Sequence, residues 1–322
     1  MRRQSSLLED ERGIALVMVI WVLALLSLMA VSFLAEARVE LRRAGNLRER
    51  AEAEALAEAG IHIATARLIA EHGETRPQRW RESLAGGSVL LTIASEYGKI
   101  DLNEAEPELL SGLFKSQGLP PSVASALTAA IVDFRDADHD SGLEGAEDAD
   151  YPAGSGGAKD AYFETIDEVL QVKGMTPALY ARIAPLVTVH STMPVVDPGV
   201  ADPGVLAAVP GIDRAELTRF LALRAELAPI LNAPAKAERA GTPGSTQQRV
   251  KALAQLQAAV PQRNSVTRFF LAENLAEPTL TISAEAITAT GARFRREAVL
   301  RLNEDSSHPF DLLEWRRPQA LD

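Results

Sequence analysis

An uninterrupted apolar run near the N-terminus constrains this chain more than any other feature. From Ile14 to Ala35 the sequence reads IALVMVIWVLALLSLMAVSFLA, with no charged residue, no proline and no glycine. As a helix rising about 1.5 Å per residue, the run spans roughly 33 Å, which is close to the hydrocarbon thickness of a bilayer. A helix also satisfies its own backbone hydrogen bonds inside lipid. The run therefore predicts a membrane-spanning helix.

The same helix is predicted to continue out of the membrane. Residues 36–71 are charged and rich in alanine, and no proline occurs before Pro77. Small and apolar residues recur at helical spacing at Leu41, Ala44, Ala51, Ala55, Ala59, Ile63, Ala66 and Ala70. We expect this second half to pack an apolar stripe against a soluble domain.

A short polar segment, residues 1–13, precedes the apolar run and ends in Gly13. A secretory signal peptide would be cut after its apolar part, whereas here the small residue stands before it. Cleavage between Gly13 and Ile14 would leave the hydrophobic helix on the mature chain. This arrangement resembles the leader of type IV pilins and type II secretion pseudopilins, which a membrane-embedded prepilin peptidase cuts after the glycine. An ordinary signal anchor with an incidental glycine is the alternative.

The fifth residue after this predicted cut departs from the pilin pattern. Most pilins and pseudopilins carry glutamate there, where it neutralises the α-amino group of a neighbouring subunit, but this chain has Met18 and no acid in the span. A carboxylate buried among apolar helices needs a partner. A subunit with no neighbour above it can omit that acid, which is the position of a tip subunit. Absence of this glutamate is characteristic of the minor pseudopilin K family.

Strand patterns flank a long helical block. Ser88–Ser95 is β-branched and apolar, and residues 98–105 (GKIDLNEA) suggest a second strand that leads into a helix capped near Asn103. Thr279–Ile287 and Arg293–Leu302 predict a hairpin, and residues 309–316 predict an edge strand. We therefore expect one sheet, packed on the N-terminal helix and interrupted by a helical insertion. The GKIDLNEA stretch is also similar to the segment by which pseudopilin K enters its inserted domain.

Three helix–glycine–helix units recur within the insertion. Their turns fall at Gly118-Leu119, Gly174-Met175 and Gly211-Ile212. They resemble helix-hairpin-helix motifs, in which glycine permits a positive φ and the apolar residue plugs the helix pair.

Such motifs often bind DNA, so a membrane-anchored DNA-binding or DNA-uptake protein is the first alternative function. The three hairpins lack a second glycine for close approach of a phosphate. Residues 104–263 carry 13 Lys and Arg against 21 Asp and Glu, a balance of 13 − 21 = −8, whereas phosphate binding needs a positive surface. The chain as a whole has a net charge of −11. The sequence therefore favours packing units and argues against nucleic acid as a partner.

An acidic, glycine-rich segment lies between the first two units. Calcium takes six to eight oxygen ligands from a flexible loop, and carboxylates at alternate positions can converge on it. Counted from Asp136, Glu147 is twelfth, as in an EF-hand, but glycine is seventh rather than sixth. A solvated acidic loop is the alternative. The candidate calcium ligands are Asp136, Asp138, Asp140, Glu144, Glu147, Asp148 and Asp150.

The acidic stretch carries a further resemblance. Residues 145–151 (GAEDADY) resemble a segment typical of pseudopilin K, whose inserted domain binds calcium. The order of leader, long helix, strand, insertion and C-terminal sheet resembles that family along nearly the whole chain. The expected divisions are a leader (1–13), the transmembrane and pilin helix (14–73), a first β region (74–103), an inserted α-domain (104–265) and a second β region (266–322).

The resemblance implies an α+β fold and a role in protein secretion. The chain would be a single-pass inner-membrane protein with its C-terminal part in the periplasm. It would stand at the tip of the type II secretion pseudopilus and initiate or cap its assembly. Its partners would be the prepilin peptidase and the other minor pseudopilins.

An enzyme is the least favoured class. The five histidines are scattered without the spacing of metal ligands, and the chain has no cysteine and no G-x-S-x-G motif. We therefore predict no catalytic residues.

Overall fold

A computed structural model describes residues 5–70, 78–137, 145–146, 151, 157–232, 246–271, 278–303, 305 and 307–317. The chain begins with one continuous helix, α1 (Ser5–Ala70). The further helices are α2 (Pro107–Ser116), α3 (Pro121–Arg135), α4 (Pro177–Ile183), α5 (Pro203–Ala208), α6 (Arg214–Leu231), α7 (Thr246–Ala259) and α8 (Asn264–Thr267). The strands are β1 (Gln78–Leu84), β2 (Gly87–Ser95), β3 (Ile100–Asp101), β4 (Val187–Thr188), β5 (Thr279–Thr288), β6 (Arg293–Leu302) and β7 (Phe310–Arg316).

Five strands form one antiparallel sheet in the order β1-β2-β5-β6-β7. Strand β2 pairs with β5, with Val89 opposite Ala286, so strands from both ends of the chain meet at the centre of the sheet. The predicted hairpin is confirmed as β5 and β6, and the predicted edge strand as β7. The sheet thus forms across the insertion, as the sequence predicts.

Strand β1 was missing from the sequence prediction. Its sequence, QRWRESL, is polar and follows Pro77, so it suggests a break after the helix. In the structure it pairs along its whole length with β2, where Trp80 lies opposite Leu91. Trp80 packs against the core, and the Arg67 guanidinium of α1 lies 4.9 Å from the centre of its ring. Pairing with β2 and the contact between Arg67 and Trp80 stabilise this charged segment as a strand.

The second half of α1 packs on one face of the sheet. Alternate residues of β2 and β5 point to this face, which explains their period of two. Gly60 lets the helix approach closely, because a Cβ there would lie 2.7 Å from Cγ1 of Val89. Besides Gly60, the buried residues of the described part of α1 are Ala53, Leu56, Ala57, Ile61, Ala64, Thr65 and Leu68. The expected packing of α1 on a soluble domain is therefore observed, but the predicted stripe was wrong. Its positions, such as Ala55 and Ala66, are exposed or half-buried, because the sheet covers the neighbouring face of the helix.

The insertion between β2 and β5 forms a second core of its own, built around α2, α3, α5 and α6. We call residues 104–265 the α-domain. The block is not purely helical, because β4 pairs in parallel with β3. Helix α2 begins at Pro107 after Glu106, so the expected cap near Asn103 was wrong. The Asn103 side chain instead exchanges hydrogen bonds with the backbone of Phe163, at 2.8 and 3.0 Å.

All three predicted glycine turns are confirmed. Gly118, Gly174 and Gly211 have φ values of +82°, +88° and +84°, a region that favours glycine. The apolar residues that follow them are half-buried against the α-domain core. In the second unit the first helix is a 3-10 helix, Ile166–Gln171.

Candidate functional site

The first candidate site is the apolar part of α1. α1 is long and apolar enough to cross a membrane, and none of its most apolar 18-residue window is buried by the rest of the chain. Met18 and Trp21 are 64% and 74% exposed. Side chains of this kind are stable only in lipid or among other apolar helices. Gly13 and Ile14 lie within α1, and cleavage between them stays a prediction.

Ion pairs connect α1 to strand β6. The Arg296 guanidinium on β6 pairs with Glu54 and with Glu58, the latter at 3.2 Å, and lies over the rings of Phe294 and Trp315. The helix is therefore attached to the sheet by charge as well as by apolar packing. Residues 38–52, which lie between the apolar run and the ion pairs of Glu54 and Glu58, are exposed or half-exposed.

The direction of α1 places the start of the α-domain at the end of the sheet away from the apolar run. Leu56 lies beside Gly87, and Gly60 lies beside Val89 and Leu91, so α1 and β2 run in the same direction. The chain leaves the sheet at Ser95, at the end of β2 that is farther from the apolar run. The α-domain therefore begins at the distal end of the sheet.

The second candidate site is the acidic segment. Asp136, the first predicted calcium ligand, directly follows α3, and its backbone N–H donates to Val132 O at 3.1 Å. The other six predicted ligands lie outside the described residues: Asp138, Asp140, Glu144, Glu147, Asp148 and Asp150. Across the ranges that the structure does describe, no three His, Asp or Glu side chains are close enough to hold a metal ion.

Hydrogen bonds of Ala146 and Tyr151 connect the acidic segment to the rest of the α-domain. Asp133 on α3 is 4% exposed, and its Oδ2 accepts a hydrogen bond from Ala146 N at 2.9 Å. Farther along, the Tyr151 hydroxyl accepts a hydrogen bond from Lys173 N at 3.2 Å. These anchors bring the segment back to the helix it leaves and then to the turn of the second helical unit.

The end of α3 is itself fixed. Arg135 donates to Leu102 O at 2.5 Å and to Ala105 O at 2.9 Å, and burial lowers the pKa of its guanidinium. Beside it, the rings of Phe134 and Phe163 stack with their centres 4.9 Å apart. The acidic segment therefore starts from a rigid position. Sequence reasoning missed Asp133, because an acid on a helix gives no sign of being buried.

Comparison with known proteins identifies the same architecture. Residues 90–192 match the family described as Type II secretion system (T2SS), protein K. This region runs from β2 through the first two helical units to just beyond β4. Comparison of the sequence with curated proteins finds no match.

A solved structure supports the fold along most of the chain. The match is a chain from the crystal structure of the GspK-GspI-GspJ complex of the enterotoxigenic Escherichia coli type 2 secretion system. The two chains share 16% identity with a TM-score of 0.57, and the alignment covers 86% of this chain and 100% of that one. Residues 90–192, from β2 through the first half of the α-domain, are thus similar to protein K of the type II secretion system, and the structural match shows that the two chains share a fold.

Proposed function

We propose that the chain is the minor pseudopilin at the tip of the type II secretion pseudopilus, where it initiates or caps assembly. The observation that carries this proposal is the position of the α-domain, which begins at the end of the sheet farthest from the apolar run. A subunit with so large a domain at its distal end leaves little room for another subunit above it.

The exposed apolar run supplies the means of assembly. In the inner membrane its side chains contact lipid, and in the pseudopilus they contact the helices of partner pseudopilins. Met18 supports a tip position, because a subunit with no neighbour above it has no α-amino group to neutralise. The similar chain from Escherichia coli comes from a complex named for GspK, GspI and GspJ, which supports minor pseudopilins as the partners.

We further propose that a prepilin peptidase cuts the chain between Gly13 and Ile14 and that the globular part faces the periplasm. Expression of the full chain with and without the peptidase tests this step. The mature N-terminus should be Ile14, and Gly13→Val should leave an uncut precursor because its side chain crowds the scissile bond. Gly45→Val is the matched control, since a Cβ at Gly45 meets nothing within 4 Å. Normal cleavage of Gly13→Val would show that the leader has been misread.

The acidic segment is proposed to bind calcium for structural reasons. Asp136, Asp138, Asp140, Glu147 and Asp150 would be the main ligands, with Glu144 and Asp148 in reserve. Two observations support this: carboxylates are hard oxygen donors, and the Asp133–Ala146 hydrogen bond returns the chain to α3 after Asp136. Calcium would neutralise their mutual repulsion and let the first two helical units dock.

Co-purification decides between the proposed function and DNA binding. The full chain, co-expressed with the other minor pseudopilins and extracted in detergent, should elute with them as one complex. A labelled DNA duplex should stay unbound at physiological salt, as the acidic α-domain predicts. Binding of DNA without any association with the pseudopilins would contradict the proposal.

A further inference from the structure

A buried carboxylate joins the α-domain to the sheet. Glu96 lies in the 3-10 helix Glu96–Gly98, directly after β2, and is 2% exposed. It accepts hydrogen bonds from the hydroxyls of Thr281 on β5 and Thr188 on β4, and it pairs with Lys99 Nζ at 2.5 Å. One side chain thus contacts the sheet, the α-domain and the segment that connects them.

The hydrogen bonds continue from Glu96 to the edge of the sheet. The Thr188 hydroxyl also accepts from His190 N at 3.0 Å, and His190 Nε2 lies 3.1 Å from Glu314 Oε2 on β7. Arg316 then contacts both Glu314 and Glu297 on β6, at 3.2 and 3.1 Å. Thr188 and His190 in the α-domain are therefore connected, through these side chains, to strands β5, β6 and β7.

A second buried carboxylate closes the entrance to the α-domain. Asp101 is 1% exposed and accepts from Ser191 Oγ at 2.8 Å and Thr192 N at 2.9 Å. It also accepts from Asn103 N at 2.9 Å, ahead of α2. Thr192 has a φ of +53°, which is costly for a β-branched residue and is held by this contact.

Both carboxylates accept several hydrogen bonds, which reduce the cost of burying them. Burial alone raises the pKa of the Glu96 carboxyl, but Lys99 and the two hydroxyls outweigh it and hold that pKa below its usual range. A backbone hydrogen bond from Asp197 N to Tyr97 O at 2.7 Å adds a third connection at the same place. Removing one of these partners would leave the buried carboxylate of Glu96 without a hydrogen bond or charge to compensate its burial.

We propose that Glu96 is a positioning residue that locks the α-domain to the sheet, so that the α-domain and α1 move as one rigid body. This inference deepens the proposed tip function. The rigid connection is inferred from the contacts above, and only the purpose of that connection rests on the tip function. A domain that blocks the addition of further subunits must not rotate freely relative to α1 and the sheet. A flexible linker would allow this rotation, whereas a buried connection held by hydrogen bonds restrains it.

Distances within the full chain test the joint directly. Because the chain has no cysteine, Arg79→Cys on β1 and Arg219→Cys on α6 provide two unique sites for spin labels, and both positions are exposed. In detergent, the otherwise unchanged chain should give a single narrow distance distribution by pulsed electron paramagnetic resonance. Glu96→Ala should broaden it and lose the single narrow peak.

Conservative variants keep the test decisive if Glu96→Ala fails to fold. Thr281→Val removes only the hydroxyl donated from the sheet and should broaden the distribution, whereas Thr281→Ser keeps that hydroxyl and should restore the narrow peak. Glu285→Ala, which removes an exposed acid from the same strand, is the control and should change nothing. A narrow distribution at an unchanged distance in both Glu96→Ala and Thr281→Val would overturn the proposal.

The outcome is separable from the proposed function. Unchanged distances together with normal co-purification would remove the rigid joint and leave the tip role intact. Broadened distances in a chain that fails to associate with other pseudopilins would keep the joint and remove the tip role.

Discussion

Asp133 on α3 accepts a hydrogen bond at 2.9 Å from the backbone N–H of Ala146, thirteen residues later in the chain. Gly145 makes this contact possible, because a Cβ there would lie 1.8 Å from Asp133 Oδ2. A buried helix residue and a glycine thus determine where the acidic segment returns to the α-domain.

Replacing Asp133 by alanine should destabilise the α-domain. The buried N–H of Ala146 would lose its acceptor, which costs about 1–3 kcal/mol of unfolding free energy. Gly145→Ala should also destabilise the α-domain, because the added Cβ would overlap Asp133 Oδ2. Denaturant unfolding of the full chain in detergent measures both, with Glu164→Ala, whose side chain is 82% exposed, as the control. Equal stability of Asp133→Ala and the control would show that the contact contributes nothing.

Calcium should raise the melting temperature of the full chain. A ligand that binds only the folded state stabilises it by about 2.7 kcal/mol at roughly a hundred times its Kd. Chelator should reverse the shift, and magnesium should not replace calcium because it tolerates such ligand geometry poorly. Asp138→Ala combined with Glu147→Ala should abolish the shift without affecting cleavage after Gly13. The same melting temperature with and without millimolar calcium would leave the solvated-loop interpretation.

Two glycines of α1 should respond in opposite ways to alanine. At Gly45 a Cβ meets nothing within 4 Å, so alanine should support the helix by up to about 1 kcal/mol. At Gly60 it would lie 2.7 Å from Val89 Cγ1 and 3.1 Å from Leu91 Cδ2. Crowding of this kind costs about 1–3 kcal/mol, so Gly60→Ala should be the less stable variant by thermal unfolding. The reverse order would mean that α1 and the sheet are not closely packed there.

The contribution of Glu96 should depend on pH. Because its pKa is lower in the folded chain than its ordinary value of 4.5, its stabilising effect is present above that value and is lost as the pH falls through the folded pKa. The difference in unfolding free energy between the unchanged chain and Glu96→Gln should therefore be largest above the ordinary pKa of 4.5 and shrink as the pH falls below it.

Asp101 makes this comparison of variants necessary. Burial raises the pKa of its carboxyl, so its effect has the opposite sign: stability is lost as the pH rises through the raised pKa. The pH curve of the unchanged chain contains both effects, whereas the difference between it and Glu96→Gln isolates one. A difference that grows as the pH falls would contradict the assignment to Glu96.

Local patterns were enough to predict much of the fold. The apolar run, the period-two alternation of β2, β5 and β6, and the glycine turns each reflect a requirement of the backbone or of the immediate neighbours in the chain. Gly118, Gly174 and Gly211 all have the positive φ that their sequence context predicts. The insertion of the α-domain into one sheet followed from the order of these elements.

Contacts between distant residues decided what the sequence did not show. Asn103 looks like a helix cap, but Phe163, sixty residues away, takes its side chain. The charged segment β1 becomes a strand only because β2 is there to pair with it. Glu96 and Asp133 read as ordinary surface acids until the fold buries them beside their donors. Local sequence determines periodicity and turn geometry, whereas the burial and partners of a charged side chain depend on which distant segments meet, and only the tertiary structure decides that.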